Sequence, residues 1–522
     1  MKLVTAEQMR TIEQSSVAAG VSLDELMENA GLAVAEAVRD KFGEHSELFG
    51  KRIVILIGPG NNGADGFVAG RHLSTWGAKV TAVLCAGRKS PDTKRDFAED
   101  VGVVVVDGLG DSGGESLRQL LDTGDLIVDA ILGTGASRPI AEPLTSMLFG
   151  AVESALPVVA LDLPTGLNSD TGEFDVAGLP ADITLMLGYP KLGHAISGDP
   201  TVTGEVSVLD IGIPDGLDSP VKARLLTSDV AASLLPERPV DSHKGTFGSV
   251  LIVGGSQEYL GAVTMVTDAA TRSGVGLTFV ATPEPTHRHV GGGIPEAMYR
   301  SLPVGDDGAL KASDAAGIVL DLAERSTSVV LGPGLGTNSS TFEFLSSVLA
   351  QIDLAKPLVL DADALNIVSR TYKWWERFEN QAVLTPHPGE MSRLLGISTQ
   401  EVQANRVRTA LEAAKKFDKV VVLKGAATVV AAPDGRLNVS PWVNSGLAKG
   451  GSGDVLAGLL GGLLAQQPND LFDMASLAVF IHGYAANVAR DEFGEMGMRA
   501  TDVIERLGSF TKDVFEVDRF SE

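Results

Sequence analysis

Two glycine-rich segments of this chain stand beside aspartates in patterns that suit the binding of anions. In the second half, Gly450, Gly451, Ser452 and Gly453 lead into Asp454 and a strongly apolar stretch. Glycines allow several backbone N–H groups to point into one concavity at a helix N-terminus, which favours a developing phosphoryl charge. A glycine-rich N-cap with Asp454 as the capping side chain is the plainer reading of the same residues. In the first half, "GPGNNGADG" runs from Gly58 to Gly66 directly after an apolar run, and Gly58, Gly60 and Gly63 have the G-x-G-x-x-G spacing of a dinucleotide fingerprint. A hydride-transfer site would add a carboxylate for the ribose about 20 residues later. That position falls in "VLCAGRK", so the loop is expected to grip phosphate or ribose without that chemistry. Asp129 precedes "GTGASRP", Gly133 to Pro139, and Asp162 opens "DLPTG". In an open parallel sheet the carboxyl ends of neighbouring strands converge on one crevice, so Asn62, Asp129, Asp162 and Thr165 can meet there and their oxygens could enclose a cation. Helix capping or turn closure is the alternative for both acids.

The elements that must carry these residues are legible as short apolar runs. "RIVILIG", "KVTAVLC", "VGVVVV", "DLIVDAIL" and "PVVALDLP" predict buried strands at 52–58, 79–85, 101–106, 125–132 and 157–164, with "ADITLML" and "GEVSVLDIG" extending the series to residue 212. Helical stretches separate them and polar residues do not alternate with apolar ones, which favours a parallel sheet covered on both faces. Ahead of them, Thr5 with Gln8 and Ser22 with Glu25 have capping-box spacing and predict two helices. Pro214, Pro220, Pro236 and Pro239 then break the pattern, and the domain boundary is expected near residue 222, giving domains 1–222 and 223–522. Beyond it the alternation resumes at 248–255, 275–282, 328–334, 357–363, 381–386 and 419–425. The fold class is therefore α/β twice over.

Bulk properties narrow the function. At 522 residues the chain exceeds the size at which a single core stops growing. A formal charge of -25 excludes a large basic face for nucleic acid or an anionic membrane, so an anionic substrate must be held by local groups such as helix N-termini. With Cys85 alone no intrachain disulfide can form, which fits a reducing cytoplasm, and its apolar run marks it as a core thiol. "MKLVTAEQMR" lacks the apolar region of a signal peptide, and "VLAGLLGGLLA", Val455 to Ala465, falls short of the roughly 20 residues that span a bilayer. It reads as a buried helix. No G-x-x-x-x-G-K-[ST] occurs, which excludes a P-loop enzyme.

In order and spacing, "GPGNNGADG", "DAILGTG" and "LDLPTGLNSDTG" resemble the NAD(P)H-hydrate epimerase domain, a Rossmann-like αβα sandwich. The resemblance implies substrate contacts from Asn61, Asn62, Gly63, Ala64 and Asp65, from Gly133, Thr134, Gly135, Ala136, Ser137, Arg138 and Pro139, and from Asp162 as the acid/base. It also implies potassium held by Asn62, Asp129 and Thr165. Ala64 stands where glycine is usual and Thr165 where serine is common; threonine keeps the oxygen. From about residue 225 to 510, "HKGTFGSVLIVGGS", "GPGLG", "LDADALN", "LTPHPGE", "KGAAT" and "GSGD" resemble the ADP- or ATP-dependent NAD(P)H-hydrate dehydratase of the ribokinase-like superfamily. Here the resemblance implies nucleotide contacts from Lys424, Gly425, Ala426, Ala427, Thr428 and Gly453. Ala262, Gly336, His387 and Asp454 would contact the hydrated dinucleotide, with Asp454 as general base and a magnesium ion offsetting charge. Ser452 replaces a usual threonine, and His387-x-x-Glu390 stands where sugar kinases of the superfamily show Asn-x-x-Glu. Read as metal ligands, His387 and Glu390 are weak, since Pro386 and Pro388 disfavour a helical face there.

The expected activity is thus repair of NADH and NADPH hydrates: epimerisation of R and S forms, and dehydration of the S form with ADP or ATP. Fusion of both domains leans towards ADP. The rivals are a small-alcohol kinase with a dinucleotide-sensing N-terminal domain, and a non-enzymatic scaffold in the first half. Large apolar helices make a homo-oligomer a further expectation.

Overall fold

The computed structural model describes residues 1–43, 48–110, 115–135, 138–379, 381–467 and 469–520. Ala136 and Ser137 of the expected epimerase site lie outside the described residues. The chain divides into two compact units, Met1–Ala223 and Arg224–Glu522.

The first unit is built on seven strands: β1 Arg52–Ile57, β2 Lys79–Leu84, β3 Val104–Asp107, β4 Leu126–Ala130, β5 Val158–Leu161, β6 Ile183–Leu187 and β7 Glu205–Leu209. They lie in the order β3-β2-β1-β4-β5-β6-β7 and every pair is parallel. Because side chains alternate across a strand, β1 feeds two cores. Ile53, Ile55 and Ile57 pack with Leu26, Val34 and Phe67 on one face, while Val54 and Leu56 pack with Leu121, Met147 and Leu148 on the other. That double burial explains the unbroken apolar run. Strand order reverses between β1 and β4, which is where such sheets open a ligand crevice.

Thr5 caps the helix Ala6–Ala18 with the reciprocal capping box its spacing predicts. Ser22 caps Leu23–Phe42 by accepting from the Glu25 N–H at 3.1 Å, but the reciprocal Glu25 bond is not formed, so half of the expected box exists. The third strand begins at Val104, later than the sequence pattern predicts, because Val101 and Gly102 complete a turn after the helix Thr93–Asp100. Cys85 is buried; burial and the nearby Asp129 push its thiol up to about 12, which suits a core residue.

The second sheet has ten strands: β8 Ala223–Leu225, which begins at the boundary residue, β9 Ser249–Val253, β10 Leu277–Pro283, β11 Ala297–Leu302, β12 Ser328–Leu331, β13 Leu358–Leu360, β14 Ala382–Leu384, β15 Val420–Leu423, β16 Val429–Ala431 and β17 Leu437–Val439. Their order is β11-β10-β9-β12-β13-β14-β15-β16-β17-β8. Pairs from β11 through β15 are parallel and β15-β16-β17 is an antiparallel meander. The sequence pattern did not predict β8, β11, β16 or β17. Three of these are three-residue strands at one end of the sheet, and β11 alternates exposed with partly buried residues rather than forming an apolar run.

The apolar helix Ser452–Gln466 is buried along most of its length, as its composition predicts. Leu471–Gly497 is long and apolar enough to cross a membrane by length and composition, yet 78% of its apolar window is buried. Both helices belong to the core that surrounds Val250 and Ile252 of β9, so their apolarity is accounted for within the unit and gives no separate argument for an oligomer.

Candidate active sites

In the first unit, the glycine loop after β1 and the loop after β4 approach so closely that a Cβ on Gly58 would lie 1.8 Å from the Ile131 carbonyl oxygen. Only glycine permits that contact. Arg88, in the segment where a hydride-transfer fold would place its ribose-binding acid, bonds the Gly58 and Gly60 carbonyls and pairs with Asp92 at 2.7 Å. It buttresses the loop from behind. The helix Asn61–Thr75 starts on this loop with no side-chain cap, leaving its first-turn N–H groups available. A cavity of about 600 Å³ opens here. Its lining includes Asn61, Asn62, Asp65, Gly133, Thr134, Gly135, Arg138, Pro139 and Asp162, so these expected substrate residues come together. Gly63 and Ala64 are buried in the first turns of Asn61–Thr75 and stand behind that wall.

Asp162 sits at the end of β5 with φ of 70°, a left-handed conformation that a non-glycine residue holds only where its surroundings impose it. Its Oδ1 accepts from the ammonium of buried Lys191 and from the Leu187 N–H at 3.2 Å. A methyl built on Gly133 would lie 3.4 Å from Asn62 Oδ1 and 3.5 Å from Asp162 Oδ2, so Gly133 stands between those two groups. One carboxylate oxygen is therefore anchored and the other is presented beside a glycine in the cavity wall.

Asp129 and Thr165 lie deeper, both fully buried. Asp129 Oδ1 accepts the Thr165 hydroxyl at 2.8 Å and the Ile131 N–H at 3.2 Å, and its Oδ2 accepts the Thr165 N–H at 2.7 Å. Burial pushes the Asp129 carboxyl up to about 6; only hydrogen bonds from Thr165 and Ile131 hold it down. Asn62 Nδ2 is buried with no partner. A buried carboxylate with no balancing cation, bonded to the Thr165 hydroxyl, offers oxygen ligands of the kind a hard monovalent cation takes.

In the second unit, strand order again reverses, between β9 and β12, and the loops after β12, β13, β14 and β15 carry the candidate residues. Lys424, following β15, gives its ammonium to Asp361 Oδ1 at 2.7 Å and lies 3.8 Å from Glu390 Oε2. Asp361, which follows β13, also accepts the Thr385 hydroxyl at 2.8 Å. Gly453 lies against this pair, since a Cβ there would be 3.2 Å from Lys424 Nζ and 3.9 Å from Asp361 Oδ2. The helix Ser452–Gln466 starts within the glycine run, with Gly451 as N-cap at φ of 99°, so Gly453 and Asp454 belong to its first turn instead of preceding it. Burial, then Asp361, push the Asp454 carboxyl up to about 7 against the opposing pull of Lys424.

The remaining expected residues lie on other loops and helices of the same unit. Gly336 donates its N–H to Asp363 Oδ2 at 2.8 Å, and Ala262, on the helix Leu260–Thr271, faces Gly334 of the same loop. His387 is the N-cap of the helix Pro388–Leu395 and forms a capping box with Glu390. Pro388 thus opens a helix, as proline does at N1, where the flanking prolines are expected to disfavour one, and His387 and Glu390 cap it. Gly425, Ala426, Ala427 and Thr428 form the turn between β15 and β16, closed by the Thr428 hydroxyl on the Gly425 carbonyl at 2.9 Å. Among the described residues no cluster of three or more His, Cys, Asp or Glu side chains could hold a metal.

Residue-type reasoning missed Lys191, Arg88, Asp361 and Arg406. Arg406 is buried in the helix Arg406–Phe417, bonds the Leu423 carbonyl at 3.1 Å, and occupies the space a Cβ on Gly425 would need. Lys191 and Arg406 sit in segments without glycine clustering, so only long-range packing reveals them.

Comparisons with known proteins follow the same division. Residues 23–193 match the family profile described as YjeF-related protein N-terminus, and residues 250–508 match the one described as NAD(P)H-hydrate dehydratase. The chain is 36% identical over 517 residues to the bifunctional NAD(P)H-hydrate repair enzyme Nnr of Moorella thermoacetica, covering 97% of this chain and 96% of that protein. It is 34% identical over 514 residues to the enzyme of the same name from Thermofilum pendens, covering 97% and 95%. Among solved structures, the ADP/ATP-dependent NAD(P)H-hydrate dehydratase of Bacillus subtilis, co-crystallised with ATP and Mg2+, is 34% identical at a TM-score of 0.48, covering 55% of this chain and 97% of that one. With two successive α/β units that each match one of the two profiles, and similarity over nearly the whole length to proteins of that name, this chain belongs to the family of bifunctional NAD(P)H-hydrate repair enzymes.

Proposed function

We propose that the first unit interconverts the R and S hydrates of NADH and NADPH, and that the second dehydrates the S form at the expense of ADP, giving AMP and phosphate, with ATP as an alternative donor. The observation that carries this reading is that each sheet has a reversal of strand order with an aspartate nearby: Asp162 in the cavity of the first unit, and Asp454 in a glycine-capped first turn of the second.

Hydroxide leaves poorly from the hydrated ring. Transfer of a phosphoryl group to the ring hydroxyl makes phosphate the leaving group, and the lone pair of the neighbouring ring nitrogen expels it to restore the dihydronicotinamide. Asp454 takes the hydroxyl proton. The N–H groups at the start of Ser452–Gln466, together with Lys424, face the charge that builds on the transferred group. A magnesium ion bound with the nucleotide would supply further charge neutralisation. Lys424 to Thr428 and Gly453 hold the nucleotide, and Ala262, Gly336 and His387 the dinucleotide. The kinase rival has less support, because His387 stands where the sugar kinases use asparagine.

In the first unit, Asp162 exchanges the proton, and potassium on Asn62, Asp129 and Thr165 would balance the buried Asp129 charge. Exchanging potassium for a large organic cation is expected to slow epimerisation by about tenfold or more, with the Asp129→Asn variant slow in either salt. Equal wild-type rates in both salts would remove the ion from the site.

The deciding experiment incubates the protein with both epimers of NADPH hydrate, with and without ADP, and follows the return of dihydronicotinamide absorbance. Consumption of both epimers with ADP, and of neither without it, is the expected result. A stalled R epimer would rule out the epimerase, and no recovery with ADP or ATP would rule out the dehydratase.

A further inference from the structure

The opening helix, Ala6–Ala18, precedes the matched part of the first unit, yet it helps to wall the Asp162 cavity through Met9, Arg10 and Glu13. The chain holds it there firmly. Val4 forms a parallel bridge with Lys191, Val4 N–H donates to the Pro190 carbonyl at 3.1 Å, Leu192 N–H donates to Val4 at 2.9 Å, and Ala6 N–H donates to Asp170 Oδ1 at 2.8 Å. Met9, Ile12 and Ser16 are buried on the packed side, and Glu13, half-buried, lines the cavity. The same backbone contact that seats the helix therefore seats Lys191, the partner of Asp162.

Three carboxyl groups, Glu13, Asp65 and Asp162, share this cavity with Lys191 and Arg10. Arg138 lines it too, so the carboxyls are set against one buried ammonium and two guanidiniums, and close like charges disfavour one another's ionised form. Asp65 is 93% buried, from its 7% exposure, and its Oδ1 has no hydrogen-bond partner. Burial, then Asp162 and Glu13, hold the Asp65 carboxyl well above the usual range. Burial and then Asp162 also raise Glu13, against Lys191 and Arg10. Of these two carboxyls, Asp65 is sealed, while Glu13 is only half-buried and lines the cavity, where it can exchange a proton with solvent or substrate.

We propose that Glu13 is the second proton-carrying catalytic residue of the epimerase, paired with Asp162 across the hydrated ring carbon. This rests on the epimerase reading given above. An enzyme that moves a hydroxyl from one face of a carbon to the other in both directions needs a donor where the hydroxyl leaves and an acceptor where water arrives. In one direction the ring carbon–oxygen bond breaks, its electron pair leaves with oxygen, and the ring-nitrogen lone pair makes the iminium. Glu13 gives its proton to the departing hydroxide, which becomes water. Water then adds to the other face, forming a new carbon–oxygen bond, and its surplus proton passes to Asp162 Oδ2. Glu13 ends as the carboxylate and Asp162 as the acid, the state required to convert the opposite epimer. Substrate atoms and protons balance in each direction.

The test uses the full chain, with epimer interconversion followed by chromatography across pH. Glu13→Gln is expected to lower the epimerisation kcat by about 10²-fold, keep KM within about twofold, and remove one limb of the pH profile. Glu13→Asp, which restores the carboxyl, is expected to recover part of kcat and the lost limb. Unchanged kcat and pH profile in Glu13→Gln, or a change confined to KM, would overturn the proposal. A wild-type protein that dehydrates the S form but interconverts nothing defeats the epimerase reading itself, which is a separate failure.

Discussion

Asp454→Asn is expected to bind adenine nucleotide as the wild type does and to dehydrate the S hydrate roughly 10² to 10⁴-fold more slowly, the range for loss of a positioned general base. Asparagine keeps the shape and the first-turn position within Ser452–Gln466, so the anion-binding N–H groups stay in place. What it loses is the capacity to take a proton. Calorimetry with ADP checks the binding, and kcat at saturating hydrate checks the chemistry; unchanged kcat would discard Asp454 as the base.

The same carboxyl sets a pH dependence. Burial and Asp361 place it at about 7, so it is mostly protonated below that pH and a competent base above it. Dehydration is expected to rise with pH through about 7 and then level, with the rate falling about tenfold per unit on the acid side. Glu390 also lies near 7, raised first by burial, but its Oε2 accepts the His387 N–H at 2.8 Å and caps a helix. A Glu390→Gln variant should therefore keep the acid limb. If the limb vanishes there and survives in Asp454→Asn, the assignments must be exchanged.

Asp162→Asn carries the second large effect, a loss of epimerisation of roughly 10² to 10⁴-fold. The substitution leaves buried Lys191 without its counter-charge, and breaking such a pair can cost about 3 kcal/mol or more. Stability of the first unit must therefore be read alongside activity, by thermal unfolding below which the assay is run. Adding Lys191→Met removes the orphaned charge and is expected to recover stability without recovering epimerisation. Dehydration of the purified S epimer in the second unit provides an internal control. Retained interconversion in either variant would take Asp162 out of the mechanism.

Much of this arrangement could be read before any coordinates. The continuous apolar runs located the principal parallel strands because a strand buried on both faces has no polar alternation to hide it, as β1 shows by serving two cores. The glycine loops after β1 and β12 and the glycine run before Asp454 were visible because close backbone approach tolerates little else, and Gly58 against Ile131 is the physical reason. Capping pairs were legible only in part: Thr5 with Gln8 closed fully, Ser22 with Glu25 by half, and His387 with Glu390 proved to be a cap in a place where the flanking prolines argued otherwise.

What the residues determined by themselves was local: which segments are strands, where glycine must stand, and which aspartates end a strand beside a loop. Tertiary structure alone decided which groups share a cavity, since Glu13 lines the Asp162 cavity only through a helix docked beside Lys191, and Lys424 meets Asp361 only because β13, β14 and β15 lie side by side. Periodicity reports the neighbours a residue has along one element. The charge balance of a buried site depends on groups tens or hundreds of residues apart, and only packing brings those together.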